Sequence, residues 1–224
     1  MQKIDKKLNA LSLVSNLAIF VATFYSVLKF YIGVGFGNMM VHGPSCFRFF
    51  TVDSNILVAV GSLVMLTYNI RRFNNPDIAI PNGLRLFKFV GTVAVTVTLI
   101  TVLAFLGPTT GYDIMFEGPC LFMHLLTPLA AILTFSVFEA DGKFSMKQAL
   151  IGVIPTAVYG VVYLILVVKI GKDNGGWNDF YGFNSGMLEG KWYISMIAML
   201  GFTYLFSLGI GAIHSAVTKK KENK

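Results

Sequence analysis

The chain has 224 residues, of which 55% are hydrophobic and only 13% are charged. Soluble globular domains carry about 25% charged residues, so this composition excludes that class and indicates an integral membrane protein. The formal net charge of +7 does not indicate a nucleic-acid-binding protein. The basic residues flank apolar segments instead of forming a stripe on a folded surface, and we expect no nucleic-acid partner.

Six apolar runs are each near the roughly 20 residues that span about 30 Å of hydrocarbon. The runs cover approximately 8–35, 49–70, 84–106, 120–138, 148–168 and 192–217. The first run begins like a signal peptide, but it is too long for one and has no small-residue cleavage site. The sequence therefore predicts an all-α bundle of six transmembrane helices that forms a single domain over residues 1–224.

The distribution of Lys and Arg predicts the orientation of these helices. Five of the 18 basic residues belong to the predicted outer side, and the other 13 lie beside or between the two termini on the inner side. The outer five are Lys29, Arg48, Lys169, Lys172 and Lys191. We therefore expect a multi-pass protein of the plasma membrane with both termini in the cytoplasm. The small size and lysine-rich tails suit a bacterial membrane.

Polar side chains cluster at the start of the second run. Arg48, Thr51 and Asn55 follow helical spacing, so they share one face of the helix. Such residues are expensive in lipid, and they usually face a protein interior and mark a site. Asp53 points roughly the other way, where it would cap a neighbouring helix end or pair with a cation.

The fourth run carries a second polar face, formed by Cys120, His124, Thr127 and Pro128. The proline should free a backbone carbonyl and bend the helix. At a rise of about 1.5 Å per residue, Thr51 and His124 both lie within roughly 3–8 Å of the outer interface. Because both helices run inward from their starts, we expect these two polar faces to lie side by side.

A threonine hydroxyl beside an imidazole forms a potential nucleophile and general base. Arg48 or the Asn55 amide would then stabilise an oxyanion or hold the substrate. Plainer roles remain open: Thr51 bonding to its own backbone, and His124 or Asn55 joining helices. Cys120 is a second candidate nucleophile one turn from His124, or a buried structural thiol. Cys46 and Cys120 both lie on the predicted outer side, where a disulfide is possible.

The longest loop, Lys169–Lys191, carries Trp177 and Tyr181 among glycines and other aromatic residues. Its aromatic residues fit either an interfacial belt or a lid over an outward-facing site. No phosphate-binding loop, dinucleotide fingerprint or zinc-protease motif is present, and the two cysteines have no metal-ligand spacing. We therefore expect no cofactor and no metal.

Short motifs in these two helices resemble a known family. They are Arg48-Phe-Phe-Thr51, Met123-His124 followed by Pro128, and Glu139 at the end of the fourth run. They are similar to the family of the androgen-induced protein and the androgen-dependent TFPI-regulating protein, and most similar to its bacterial six-span relatives. The resemblance implies a membrane hydrolase of fatty-acid esters of hydroxy fatty acids. It also implies Thr51 as the nucleophile and His124 as its partner.

Two functions follow from these patterns. The first is a lipid-ester hydrolase with membrane lipid or an acyl ester as its partner, in which Thr51 attacks and water releases the acyl group. Arg48, Asp53, Asn55, Cys120, Trp177 and Tyr181 would form its substrate site. The second is a membrane protein that binds a lipid or small ligand without chemistry, or a small transporter. Transport would need a polar path to the cytoplasmic side, where the sequence offers little beyond Ser12, Ser15 and Asn16.

Overall fold

The computed structural model describes residues 5–36 and 39–223. Within them, six helices are long and apolar enough to span a membrane, which confirms the predicted all-α bundle. We name these helices in chain order: α1 (Lys6–Ile32), α2 (Phe50–Asn74), α3 (Asn82–Thr110), α4 (Pro119–Phe138), α5 (Met146–Ile170) and α6 (Trp192–Glu222). The predicted runs agree with these helices to within a few residues at most ends.

The first helix ends earlier than predicted. It stops at Ile32 instead of residue 35, because Gly33 adopts a φ of 144° that ends the helix. Val34–Phe36 and Met39–Val41 then pair as a short antiparallel hairpin, β1 and β2. A 3₁₀ helix, Gly43–Arg48, leads from the hairpin into α2.

Contacts between helix ends define the two ends of the bundle. Asn9 near the start of α1 bonds to Asn69 near the end of α2, and Lys221 of α6 donates to carbonyls at the end of α4. We call this the terminal end. The other end, here the loop end, carries the hairpin, the short helix Tyr112–Met115 and the loop 171–191. Both described ends of the chain therefore lie at the same end of the bundle.

The centre of the bundle is formed by α2 and α3, which pack closely. A Cβ atom at Gly91 of α3 would lie 2.9 Å from the Cα atom of Val58 in α2, so only glycine permits this approach. Val58 and Val95 are fully buried there with Ile19 of α1. In contrast, most of the apolar surface of α1, α5 and α6 points outward, as expected for helices that face lipid.

Pro128 changes the local geometry of α4. The turn Phe122–Leu126 is a π-helix, in which the N–H of Thr127 donates to the carbonyl of Phe122, five residues back. In this pattern residue 128 would donate to Met123, but proline has no N–H. The Met123 carbonyl instead accepts a hydrogen bond from Asn55 of α2, at 3.1 Å. π-Turns of this kind are frequent at functional sites, and this one contains His124.

Candidate functional site

A cavity of about 470 Å³ lies at the loop end of the bundle, within the size range of small-molecule sites. Its wall combines α2, α3, α4, the short helix and the loop 171–191. The lining residues are Phe30, Val41, Phe49, Thr51, Val52, Leu106, Thr109, Thr110, Ile114, Met115, His124, Phe180 and Tyr181. Thr51 and His124 thus both line this one cavity.

Thr51 lies in the first turn of α2, and its side chain is half-buried. Thr51 and Tyr181 both line this cavity. The two residues also share a second, narrower cavity. Thr51 therefore occupies the border between a wide space and a narrow one.

His124 is only 3% exposed, and its Nδ1 atom lies 2.7 Å from the carbonyl oxygen of Met115. A carbonyl only accepts hydrogen bonds, so Nδ1 carries the ring hydrogen. Nε2 is then the nitrogen that holds a lone pair and is able to take up a proton. A hydroxyl and an imidazole in this tautomer on one cavity are the groups that base-assisted nucleophilic attack requires.

Asn55 connects the two halves of this pair and does not line the cavity. Its Nδ2 group donates to the Thr51 carbonyl at 2.8 Å and to the Met123 carbonyl at 3.1 Å. Both amide hydrogens are used in this way, so they are not available to an oxyanion. This arrangement favours the alternative role of Asn55, which is to join two helices, over contact with a substrate.

Arg48 also lies behind the wall. Its guanidinium is centred 5.0 Å from the ring of Phe49 and 5.6 Å from the ring of Phe180, both of which line the cavity. Cation–π contacts of this kind hold the two rings against the charge. Arg48 therefore supports the wall from outside.

Asp53 is half-buried in the first turn of α2 and is likewise absent from the cavity wall. A carboxylate at that position interacts favourably with the positive end of the helix dipole. Its role in the structure is therefore at the start of its own helix. The expected pairing with a cation is not among the salt bridges of the described residues.

The loop 171–191 folds over the bundle as a cover. The Asp179 carboxylate accepts hydrogen bonds from the Tyr163 hydroxyl and from the backbone N–H groups of Phe183 and Asn184, at 2.8–3.0 Å. These bonds set the loop so that Phe180 and Tyr181 reach the cavity. Of the two interpretations of the loop, this arrangement favours the lid.

Tyr181 joins this lid to α2 and α5 through hydrogen bonds. Its hydroxyl accepts from the backbone N–H of Phe50 at 3.1 Å, and its own N–H donates to the hydroxyl of Tyr163 at 2.9 Å. Burial raises the pKa of Tyr181 to about 12, so the phenol remains protonated at neutral pH. Trp177 packs behind it on the rings of Tyr163 and Phe180, and is not part of the wall.

The two cysteines belong to the apolar packing beside the site. Cys46 and Cys120 are buried free thiols in one cluster with Phe30, Val52 and Met123. Burial raises the pKa of the Cys46 thiol, which disfavours its reactive thiolate. Cys120 does not line the cavity, so the structural role is favoured over the nucleophilic one.

A second cluster of buried polar and charged side chains, which the sequence analysis did not predict, lies at the terminal end. Lys88 of α3 and Glu139 after α4 form a salt bridge at 3.6 Å, with side chains 1% and 4% exposed. Asn16 bonds to both of them, and Ser12 donates to Glu139. Lys88 looks like a flanking charge in the sequence. The sequence feature that could have revealed this cluster is Glu139, an acidic residue at the end of an apolar run.

Neither metal-binding groups nor similarity to known proteins assigns a function to this site. Within residues 5–36 and 39–223, no group of three or more His, Cys, Asp and Glu side chains is placed to hold a metal ion. None of the protein-family models, curated proteins or solved structures compared with this chain matches it.

Proposed function

We propose that the chain is a membrane hydrolase of lipid esters, of the kind that acts on fatty-acid esters of hydroxy fatty acids, and that it belongs to the family named above. The observation that carries this proposal is that Thr51 and His124 line one ligand-sized cavity. The tautomer of His124 supports it, because the Met115 carbonyl leaves Nε2 as the basic nitrogen.

In the proposed reaction, His124 takes the hydroxyl proton of Thr51 while Thr51 Oγ1 attacks the ester carbonyl carbon. The tetrahedral intermediate collapses, and the alcohol leaves with the proton from His124. Water then attacks the acyl-threonine, again with His124 as the base. The products are a free fatty acid and an alcohol, and Thr51 is restored.

The oxyanion needs a hydrogen-bond donor near Thr51. Asn55 does not fit, because its amide hydrogens are bound to Thr51 and Met123. Tyr181 lines both cavities together with Thr51, and its pKa of about 12 keeps the hydroxyl protonated. We assign this role to Tyr181. Arg48 acts indirectly, by fixing the aromatic wall through Phe49 and Phe180.

The proposed location is the plasma membrane, with both termini in the cytoplasm and the cavity near the outer surface. The excess of basic residues beside the termini supports this orientation. A lipid ester would reach the cavity while its chains remain in the bilayer.

The test is labelling of the purified protein with a fluorophosphonate probe. Wild type should be labelled, and Thr51→Ala and His124→Ala should lose the label. Thr110→Ala is the matched control, since it removes a hydroxyl from the same cavity, and His42→Ala removes an imidazole outside it. If folded wild type stays unlabelled, or if Thr51→Ala labels as well as wild type does, the hydrolase is rejected and a non-catalytic lipid-binding protein replaces it.

A further inference from the structure

A second cavity adjoins the first and has a different shape and lining. It is narrow, with a volume of about 40 Å³, and it lies between α3, α5 and α6. Thr51, Leu106 and Tyr181 line both cavities. We call this second cavity the slot. The rest of its lining is mostly apolar and includes Gly160, Met196 and Met199.

The slot stays open because residue 160 has no side chain. A Cβ atom at Gly160 would lie 2.4 Å from Cε and 2.7 Å from Sδ of Met196, which faces it from α6. Both residues line the slot. Any larger residue at 160 must therefore push the Met196 side chain into the space or fill it directly.

The slot borders the two helices that the rest of the bundle covers least. In the most apolar stretches of α5 and α6, only 17% and 22% of the residues are buried, which are the lowest shares among the six helices. Two sparsely covered helices thus form one side of the slot, and Thr51 lies where the slot adjoins the wide cavity. An acyl chain whose ester carbonyl is at Thr51 is able to run along the slot with its distal carbons in the bilayer.

We propose that the slot binds the acyl chain of the substrate next to the ester, and that the 470 Å³ cavity holds the alcohol portion. This inference rests on the proposed hydrolase. The wide cavity, with Thr109, Thr110 and His124 on its wall, suits a bulky or polar alcohol. The narrow slot suits a single unbranched chain, so Gly160 and Met196 determine acyl specificity.

The first measurement is kcat/KM for p-nitrophenyl acetate, butyrate and octanoate. Each methylene buried in the slot should raise kcat/KM by about fourfold, until the chain leaves the slot. Gly160→Leu should lower the octanoate-to-acetate ratio by at least tenfold, because only the longer acyl chain needs the space that the leucine fills. Gly160→Ala displaces only the flexible end of Met196, so it should lower the ratio less. It replaces Gly160→Leu in the test if the leucine variant does not fold.

Gly201→Leu is the matched control. Gly201 is an exposed glycine of α6, and a Cβ atom there meets nothing within 4 Å. Adding the same side chain at this position should leave the ratio unchanged. If Gly160→Leu and Gly201→Leu give the same ratio as wild type, the slot does not bind the acyl chain.

A second measurement does not depend on catalysis. A fatty acid with a diazirine four carbons from the carboxyl group is crosslinked to the Thr51→Ala protein, and the adducts are mapped by mass spectrometry. Adducts on Met196 or Met199 that disappear with Gly160→Leu support the slot. If these adducts form but the wild-type protein shows no esterase activity, the hydrolase is rejected and the acyl site is kept. Adducts only on the wide cavity or on lipid-facing residues overturn the inference.

Discussion

Removing one partner of the buried salt bridge between Lys88 and Glu139 should destabilise the protein far more than removing both. The Nζ and Oε2 atoms are 3.6 Å apart and nearly inaccessible. At that distance and an effective dielectric constant of about 20, the attraction amounts to roughly 4.6 kcal/mol. Neighbouring side chains add hydrogen bonds to each charge: Ser62 and Asn16 to Lys88, and Ser12 and Asn16 to Glu139.

Lys88→Met keeps the length of the side chain and removes the charge, so it leaves Glu139 without its counter-ion. Glu139→Gln does the converse. An uncompensated buried charge typically destabilises a protein by 3–5 kcal/mol. For a chain of this size, that corresponds to a fall in Tm of roughly 6–20 °C. The double variant removes both charges and should recover most of the loss, to within about 1–2 kcal/mol of wild type.

The assay is thermal unfolding in a mild detergent, or recovery of folded protein after heating, for the two single variants and the double variant. Glu189→Gln is the control, because it removes an exposed carboxylate of the loop and should change stability by less than about 0.5 kcal/mol. If each single variant loses less than about 1 kcal/mol, or if the double loses the sum of the two singles, the charges are not coupled as the structure indicates.

Three further predictions concern the loop end. Asn55→Ala removes the bonds to Thr51 and Met123, so it should lower stability by about 2–3 kcal/mol and slow probe labelling of Thr51 at least tenfold; labelling at the wild-type rate would exclude its positioning role. Tyr181→Phe should lower kcat by about 10²-fold with little change in KM, since it removes a donor used only in the transition state; an equal rise in KM would indicate substrate binding instead. Asp179→Asn weakens the bonds that fold the lid, so hydrogen exchange of the amides at 180–184 should accelerate by at least tenfold, and unchanged exchange would contradict this account.

The six helices, and the location of Thr51 and His124 on one cavity, were accessible from sequence because each depends on local signals. Long apolar runs identify the helices, and polar residues inside them stand out against that background. The depth of each residue follows from the helical rise, which is the same in every helix. Two helices that run in the same direction from the same interface bring residues of equal depth together. That argument needs no knowledge of the full packing.

Other assignments failed because they depend on which helices are neighbours. Lys88 has its partner 51 positions later, at Glu139, and only the packing of α3 beside the end of α4 reveals the pair. Helical spacing places Asn55 on the face of α2 that carries Thr51. Because Pro128 has no N–H, the carbonyl of Met123 has no backbone donor, and the side-chain amide of Asn55 donates to it instead. Tyr181 reaches the cavity through the bonds made by Asp179, which follow from the fold of the loop and not from its composition.

The two polar clusters differ in what surrounds them. At the terminal end, the amide, hydroxyl, ammonium and carboxylate groups of the cluster bond to one another, as between Asn16, Lys88 and Glu139. A cluster closed in this way holds helices together and offers little to a ligand. At the loop end, Thr51 and His124 border an open space while Asn55, one turn behind them, bonds to backbone on both helices. A rigid end and an open end in one small bundle would keep a reacting pair aligned while lipid enters and leaves beside it.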